Sequence, residues 1–173
     1  IAQAYKEIDE TEKAIQEYKK IISINPNHLQ ARRDLAAIYK EKGETERALQ
    51  EYQKMISINP NDEFAVAELA MGQIYEDIGE IDKSIQEYQK IITRKTNKRS
   101  MESGGVNSGS LILAYDALAT LYTYSPKKDL GKAIMFTKKS LSLRPNYPVY
   151  HHSLGNIYSY LNQNTQAIKY FNI

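Results

Sequence analysis

The side chains that do chemistry in proteins are sparse in this sequence. Its three histidines are His28, in a segment rich in asparagine and proline, and the adjacent pair His151 and His152. Neighbours on one helix diverge by about 100°, so the pair cannot converge on a metal without a third ligand, which nothing nearby supplies. His151 falls within an apolar pattern and reads as a core or semi-core residue. No cysteine is present, which excludes a thiol nucleophile, a CxxC redox pair and thiolate zinc while leaving the compartment open. The run Ser103-Gly104-Gly105-Val106-Asn107-Ser108-Gly109 is glycine-rich, yet no Lys-Ser/Thr follows it and no strand precedes it, as a phosphate cradle requires. The carboxylates of Glu41, Glu44, Glu46 and Glu51 lie among lysines in the pattern of solvated surface pairs. These residues point away from catalysis, and the expectation is a non-enzymatic protein that uses neither metal nor cofactor.

The elements that carry these residues are legible in the pattern of the chain. With 173 residues, 42% hydrophobic and 25% charged, the composition is that of a soluble chain able to bury a core, and it excludes collagen, a disulfide scaffold and wholesale disorder. No stretch approaches the roughly 18 uninterrupted apolar residues of a membrane span. Self-comparison is more informative, because a fixed period of about 20 to 50 residues changes the whole reading. The stretch AIQEYKKIISINPN from Ala14 recurs as ALQEYQKMISINPN from Ala48, a shift of 34, and as SIQEYQKIITRKTN from Ser84, a shift of 36. A fourth copy, AIMFTKKSLSLRPN, opens at Ala133 and a fifth at Ala167. Each is preceded by a second apolar segment ending in Tyr5, Tyr39, Tyr75, Tyr122 or Tyr158.

Within a unit the period is helical. Leu35, Ala36, Ile38 and Tyr39 share one face of the first segment, and Ala48, Leu49, Tyr52, Met55 and Ile56 share one face of the second. Gly43 is placed to close the first helix in the left-handed conformation, and Asn59-Pro60 ends the second because a residue before proline is pushed out of the α region. Asn61-Asp62 is placed to cap the helix after it. Asn25-Pro26, Gly79 and Arg144-Pro145 repeat this punctuation.

These residues resemble the tetratricopeptide repeat family. Its first-helix signature lands on Leu35, Ala36 and Tyr39, on Met71, Gly72 and Tyr75, on Leu118, Ala119 and Tyr122, and on Leu154, Gly155 and Tyr158. Its second-helix signature lands on Ala48 and Tyr52, on Ser84 and Tyr88, on Ala133 with Thr137 replacing the aromatic, and on Ala167 and Phe171. The resemblance implies an all-α fold, a right-handed superhelical solenoid of antiparallel helix pairs. Departures are two extra residues around Glu63-Phe64, two more in the turn at Ser125-Pro126-Lys127-Lys128, Asp9 where glycine belongs, and Thr96 where proline belongs. The expected organisation is units one (partial) to three over residues 1–97, a flexible Gly/Ser-rich insertion over 98–110, and units four and five (partial) over 111–173. An alternative keeps only 103–110 flexible between longer helices. The truncated first and last units, and a start at Ile1, are those of a piece of a longer solenoid or a disordered flank.

By the same resemblance the first helices line a concave groove that receives an extended peptide or a helix of a partner. The residues pointing away from the core face are Gln3, Lys6 and Glu7 in unit one, Arg33, Ala37 and Lys40 in unit two, and Gln73, Glu76 and Asp77 in unit three. They continue as Asp116, Thr120, Thr123 and Tyr124 in unit four and His152, Asn156, Ser159 and Tyr160 in unit five. Any one of these also reads as ordinary solvated helix surface; Tyr124, His152, Asn156 and Tyr160 together read better as a peptide contact. Two family uses are not matched. The terminal-carboxylate clamp of chaperone-binding members needs lysine and asparagine where this chain has Arg33 with Ala37 and Leu69 with Ala70. The asparagine ladder of the O-linked N-acetylglucosamine transferases falls on Asp34, Ala70, Ala117 and Ser153.

Charge is uneven. Residues 110–173 hold seven basic residues against Asp116 and Asp129, a net +5, although the whole chain carries only +2. Lys127, Lys128, Lys132, Lys138 and Lys139 gather on the outer side of unit four, readable as a solvated face, a site for an acidic protein or an anionic membrane surface. Nucleic acid is disfavoured because exposed aromatics do not interleave with the lysines. The expectation is a scaffold that binds protein segments and assembles a larger complex. The other readings are a substrate-recruiting arm of a larger enzyme and a self-assembling scaffold.

Overall fold

A computed structural model describes residues 10–60, 65–96 and 108–172 of the chain. Among the described residues there are nine helices and no strand. They are α1 (Thr11–Ile24), α2 (Leu29–Glu41), α3 (Thr45–Ile58), α4 (Val66–Asp77), α5 (Ile81–Thr96), α6 (Ser108–Tyr124), α7 (Leu130–Leu143), α8 (Pro148–Tyr160) and α9 (Asn164–Phe171). Each helix packs on the next in sequence, and α4 also touches α6, which makes a solenoid of helix pairs: α2/α3, α4/α5, α6/α7 and α8/α9. None of these helices is long and apolar enough to cross a membrane.

The boundaries follow from local chemistry. Gly43 and Gly79 both close first helices at positive φ, +72° and +77°, and Asn162 takes the same conformation after α8 at φ 56°. Asn25 and Asn59, each before a proline, leave the helix at φ near −130°. The comparison with α5 shows what proline does. Where α1 and α3 stop at the residue before Asn-Pro, α5 carries Lys95-Thr96 instead and continues through both positions. Helix α7 opens on Asp129, whose carboxylate accepts from the Lys132 amide at 3.0 Å, and α2 on His28, whose Nδ1 accepts from the Ala31 amide at 3.1 Å. Residues 1–9, the candidate cap at Asn61-Asp62, the extra residues around Glu63-Phe64 and the stretch 97–107 lie outside the described residues. The insertion placed at 98–110 is shorter at its end than expected: α6 takes in Ser108, Gly109 and Ser110, and Ser110 is buried.

Small residues occupy the helix crossings as the pattern requires, with Ala36, Ala48, Ser84 and Ala133 all fully buried. Two apolar clusters result. One gathers α1 to α4 around Leu35, Ile38, Tyr52 and Met71, and the other gathers α5 to α8 around Tyr88, Ile91, Leu118 and Ile157 and takes in Ala65 and Leu69 at the start of α4. Glu51 corrects its reading as a surface carboxylate. It is buried, and it accepts from Arg32 Nη1 at 2.5 Å, while Arg32 also donates to the Pro26 carbonyl from Nε and Nη2 at 2.9 and 2.7 Å. One guanidinium thus ties a loop and α3 to α2. In unit three Glu68 stands at the position of Arg32 and is paired by Arg94 of α5, while the position of Glu51 is again a glutamate, Glu87, paired by Lys90.

Candidate functional site: a pocket between the first helices of units four and five

Helix α7 departs from its counterparts at one residue, and the consequence is a cavity. In unit three the ring of Tyr88 lies directly over Gly72, and in unit five Phe171 lies over Gly155. The equivalent residue of α7 is Thr137, and the unit's aromatic stands one place earlier. Phe136 therefore points about 100° round the helix, where it stacks between Tyr115 and Tyr122 at 6.0 and 5.9 Å. The space a ring would fill beside Ala119 stays open. It forms a cavity of about 230 Å³ walled by Asp116, Ala119, Thr120, Thr123 and Tyr124 of α6, Thr137 of α7, and Tyr147, Val149, Tyr150, Ser153 and Ile157 along α8 and its N-cap.

The polar groups of this pocket have a definite polarity. The Asp116 carboxylate accepts the Ser140 hydroxyl on Oδ1 at 2.5 Å and the Tyr150 hydroxyl on Oδ2 at 2.9 Å. Burial first, and then the bond to Asp116 and its charge, push the Tyr150 hydroxyl up to about 12. Thr123 donates its hydroxyl hydrogen to the Ala119 carbonyl at 2.7 Å, and Thr137 donates to the Ala133 carbonyl at 2.8 Å. Their oxygens then present only lone pairs to the cavity. Tyr147 and Tyr150 meet edge to face with centroids 5.1 Å apart, and Tyr124, Tyr147 and Val149 are exposed at the mouth, Tyr124 by 66%.

Of the residues expected in the groove, the pocket brings together Asp116, Thr120, Thr123 and Tyr124, although Thr123 is buried rather than pointing away from the core. Further along, Lys40 of α2 pairs with Asp77 of α4 at 3.3 Å across adjacent first helices. Glu76 accepts the Tyr88 hydroxyl at 2.5 Å, and Arg33 and Gln73 are exposed. His152, Asn156, Ser159 and Tyr160 do not line the pocket. His152 sits 5.4 Å from the Phe171 ring, and Tyr160 lies under Lys128 at 5.2 Å. The reason is geometric. Positions 116, 120 and 124 form the flank of α6 that faces the following unit, whereas 152, 156 and 160 are the same flank one unit later. The wall opposite α6 is the other flank of α8, at 149, 153 and 157. Tyr147, Val149, Tyr150, Ser153 and Ile157 were thus missed, and the i, i+4, i+8 spacing of Val149, Ser153 and Ile157 was the signal that could have found those three.

The outer lysines are engaged rather than free. Lys132 lies 4.9 Å from the Tyr122 centroid, Lys138 5.9 Å from Tyr158 and Lys139 5.3 Å from Tyr115, while Lys127 pairs with Asp82 at 3.0 Å. A broader depression of about 650 Å³ between α3 and α5 is lined by long polar side chains such as Gln53, Gln86, Gln89 and Lys90. Among the described residues no group of three histidines or carboxylates could hold a metal ion.

Stacked helix pairs of this kind define an α-solenoid, an architecture that serves as a protein-interaction scaffold. Residues 9–70 match the tetratricopeptide repeat family, and residues 69–98 and 149–172 match it again, so the chain belongs to the tetratricopeptide repeat family. Members of that family are generally non-catalytic. No curated protein matches the sequence. Among solved structures the chain is similar to a crystal structure of MamA, at 23% identity and TM-score 0.74, over 99% of this chain and 91% of that one. It is similar also to PilF of Pseudomonas aeruginosa, at 17% identity and TM-score 0.72, over 99% of this chain and 70% of the other. BtubC from P. vanneervenii shares the fold at 15% identity and TM-score 0.74, over 99% and 74% of the two chains. At these identities the likeness is one of fold.

Proposed function

We propose that this protein holds a segment of a partner protein along the groove of its first helices, and that this contact brings the partner into a larger assembly. The observation that carries the reading is the pocket opposite Thr137, where exposed tyrosines surround hydrogen-bonding groups in a concave site. Aromatic side chains offer large, stiff contact area there, and such residues dominate the energetics of interfaces. Asp116, Thr120 and Tyr124 supply the α6 side of the contact, with Tyr147 and Val149 across from them. His152, Asn156, Ser159 and Tyr160 extend the same face across unit five, and Arg33, Lys40, Gln73, Glu76 and Asp77 extend it toward the amino terminus. Asn156 is suited to a peptide backbone, because an amide both donates and accepts.

The test is a titration of a partner recovered by affinity capture and mass spectrometry. Tyr124→Ala removes an exposed ring without opening the core, and it is expected to weaken binding by about 1 to 2 kcal/mol. Lys138→Gln with Lys139→Gln is expected to change the salt dependence and little else. If the lysine pair abolishes binding while Tyr124→Ala is silent, the outer face is the interaction surface and the groove reading is wrong.

A further inference from the structure

Resting on the groove reading, we infer that the pocket between α6 and α8 is a receptor for an arginine side chain of the bound segment. Three independent features of the wall select that group. The first is charge: Asp116 faces the cavity, and the two partners of its carboxylate, Ser140 and Tyr150, are neutral hydroxyls. By contrast, Asp77 in the neighbouring part of the groove is already satisfied by Lys40. Arg144 is near enough for its charge to act on Tyr150 but is not bonded to the carboxylate, which is left open to a charged donor from a ligand. The second is hydrogen-bond direction. Thr123, Thr137 and Tyr150 all have their hydroxyl hydrogens committed, to Ala119, Ala133 and Asp116, so they can only accept from whatever enters. A ligand rich in acceptors would meet lone pairs at these three oxygens, whereas a guanidinium brings five donors and needs no acceptor in return.

The third feature is the aromatic wall. Tyr124, Tyr147 and Tyr150 line the same cavity, and a guanidinium stacks on a tyrosine face while donating in its own plane. Size agrees as well. The cavity, about 230 Å³, lies below the range of about 300 to 1,000 Å³ that encloses a whole drug-sized ligand, so it fits one side chain. The sequence origin of the site is the loss of the aromatic at Thr137, since a ring there, like Tyr88 over Gly72, would occupy the space.

The experiment selects 12-residue peptides from a random displayed library on the intact chain and remakes the binders with citrulline in place of each arginine. Citrulline keeps the shape of the side chain and removes its charge. One citrulline exchange is expected to weaken binding about tenfold or more. Asp116→Asn, which retains the carbonyl acceptor, should produce the same loss, and Thr137→Phe should fill the cavity and abolish the preference for arginine. Circular dichroism of each variant confirms that it is folded, and Asp116→Asn carries the test alone should Thr137→Phe fail to fold. Peptides that depend on Tyr124 yet ignore both the citrulline exchange and Asp116→Asn would leave the groove reading standing and overturn the arginine assignment. Lysine binding as well as arginine would overturn it too. Peptides indifferent to every groove variant, or a library that yields no binder, would overturn both.

Discussion

Several buried tyrosine hydroxyls donate to carboxylates, and this sets how the protein responds to alkali. Burial, with Asp34 and its charge behind it, pushes Tyr18 up to about 12, Tyr150 is raised to a similar value beside Asp116, and Tyr88 is pushed up by burial and then by Glu76. An unfolded tyrosine loses its proton near pH 10, while these folded ones keep theirs. Above pH 10 the unfolded state therefore binds fewer protons, and stability must fall as pH rises from about 10 through about 12. Below pH 10 the contribution is fully present. Denaturant midpoints measured at pH 8, 10 and 11 should be flat over the first interval and fall over the second. The fall should be shallower in Tyr150→Phe, which removes the ionisable group. At the same scale, Arg32→Ala leaves Glu51 buried with only Lys54 at its other oxygen and strands the Pro26 carbonyl. A cost of about 3 kcal/mol or more in urea unfolding is expected. Arg32→Met with Glu51→Leu should recover most of it, since the pair is then absent rather than broken.

Helices, their order and most of their ends were legible in the sequence because each rests on local chemistry, the start of α6 at Ser108 being the exception. Gly43 and Gly79, Asn25-Pro26 and Asn59-Pro60 act through backbone conformation, and the alternation of Ala48, Ser84 and Ala133 with large apolar residues acts through the helical period. Enlarging these crossings should therefore be costly: Ala48→Leu or Ala133→Leu, both at fully buried positions, is expected to lower stability by about 1 to 3 kcal/mol in thermal unfolding. An unchanged midpoint for both would remove the assignment of these residues to the helix contacts. What could not be read locally was which flank of a first helix meets which flank of the next. Thr137 was visible as a departure from the pattern, but the cavity it leaves needed Tyr147 and Tyr150 of another unit to become a pocket. The same holds for the cations. Arg47 over Tyr39, Lys83 over Tyr75 and Lys132 over Tyr122 recur at one place in three successive units. In sequence each of them is only a charged residue at the start of a second helix. Each such contact contributes about 0.5 to 1 kcal/mol and covers one side of a ring at the edge of the core.

A solenoid is held together by contacts between neighbours, so its cooperativity depends on the weakest junction. Here the apolar core is two clusters, one over α1 to α4 and one over α5 to α8, and they meet within unit three. The crossing of α4 and α5 at that seam is made by Gly72, where an added Cβ would stand 2.6 Å from the Tyr88 ring. Tyr88 cannot move aside cheaply, because it is 4% exposed and its hydroxyl is bonded to Glu76. Gly72→Ala should thus spread α4 from α5 and loosen the coupling between the two clusters. Gly155→Ala makes an instructive contrast. Its Cβ would meet Phe171 just as closely, yet that ring is 45% exposed near the end of the described chain and free to swing outward. Urea unfolding followed by circular dichroism should remain a single transition in Gly155→Ala, with a small shift of midpoint. In Gly72→Ala it should separate into two, because the halves no longer unfold together. Amide exchange by mass spectrometry assigns the steps. The prediction requires peptides of α2 and α3 to exchange at a denaturant concentration different from those of α6 and α7 in Gly72→Ala alone. Simultaneous exchange of all four in that variant would show that the seam does not lie in unit three.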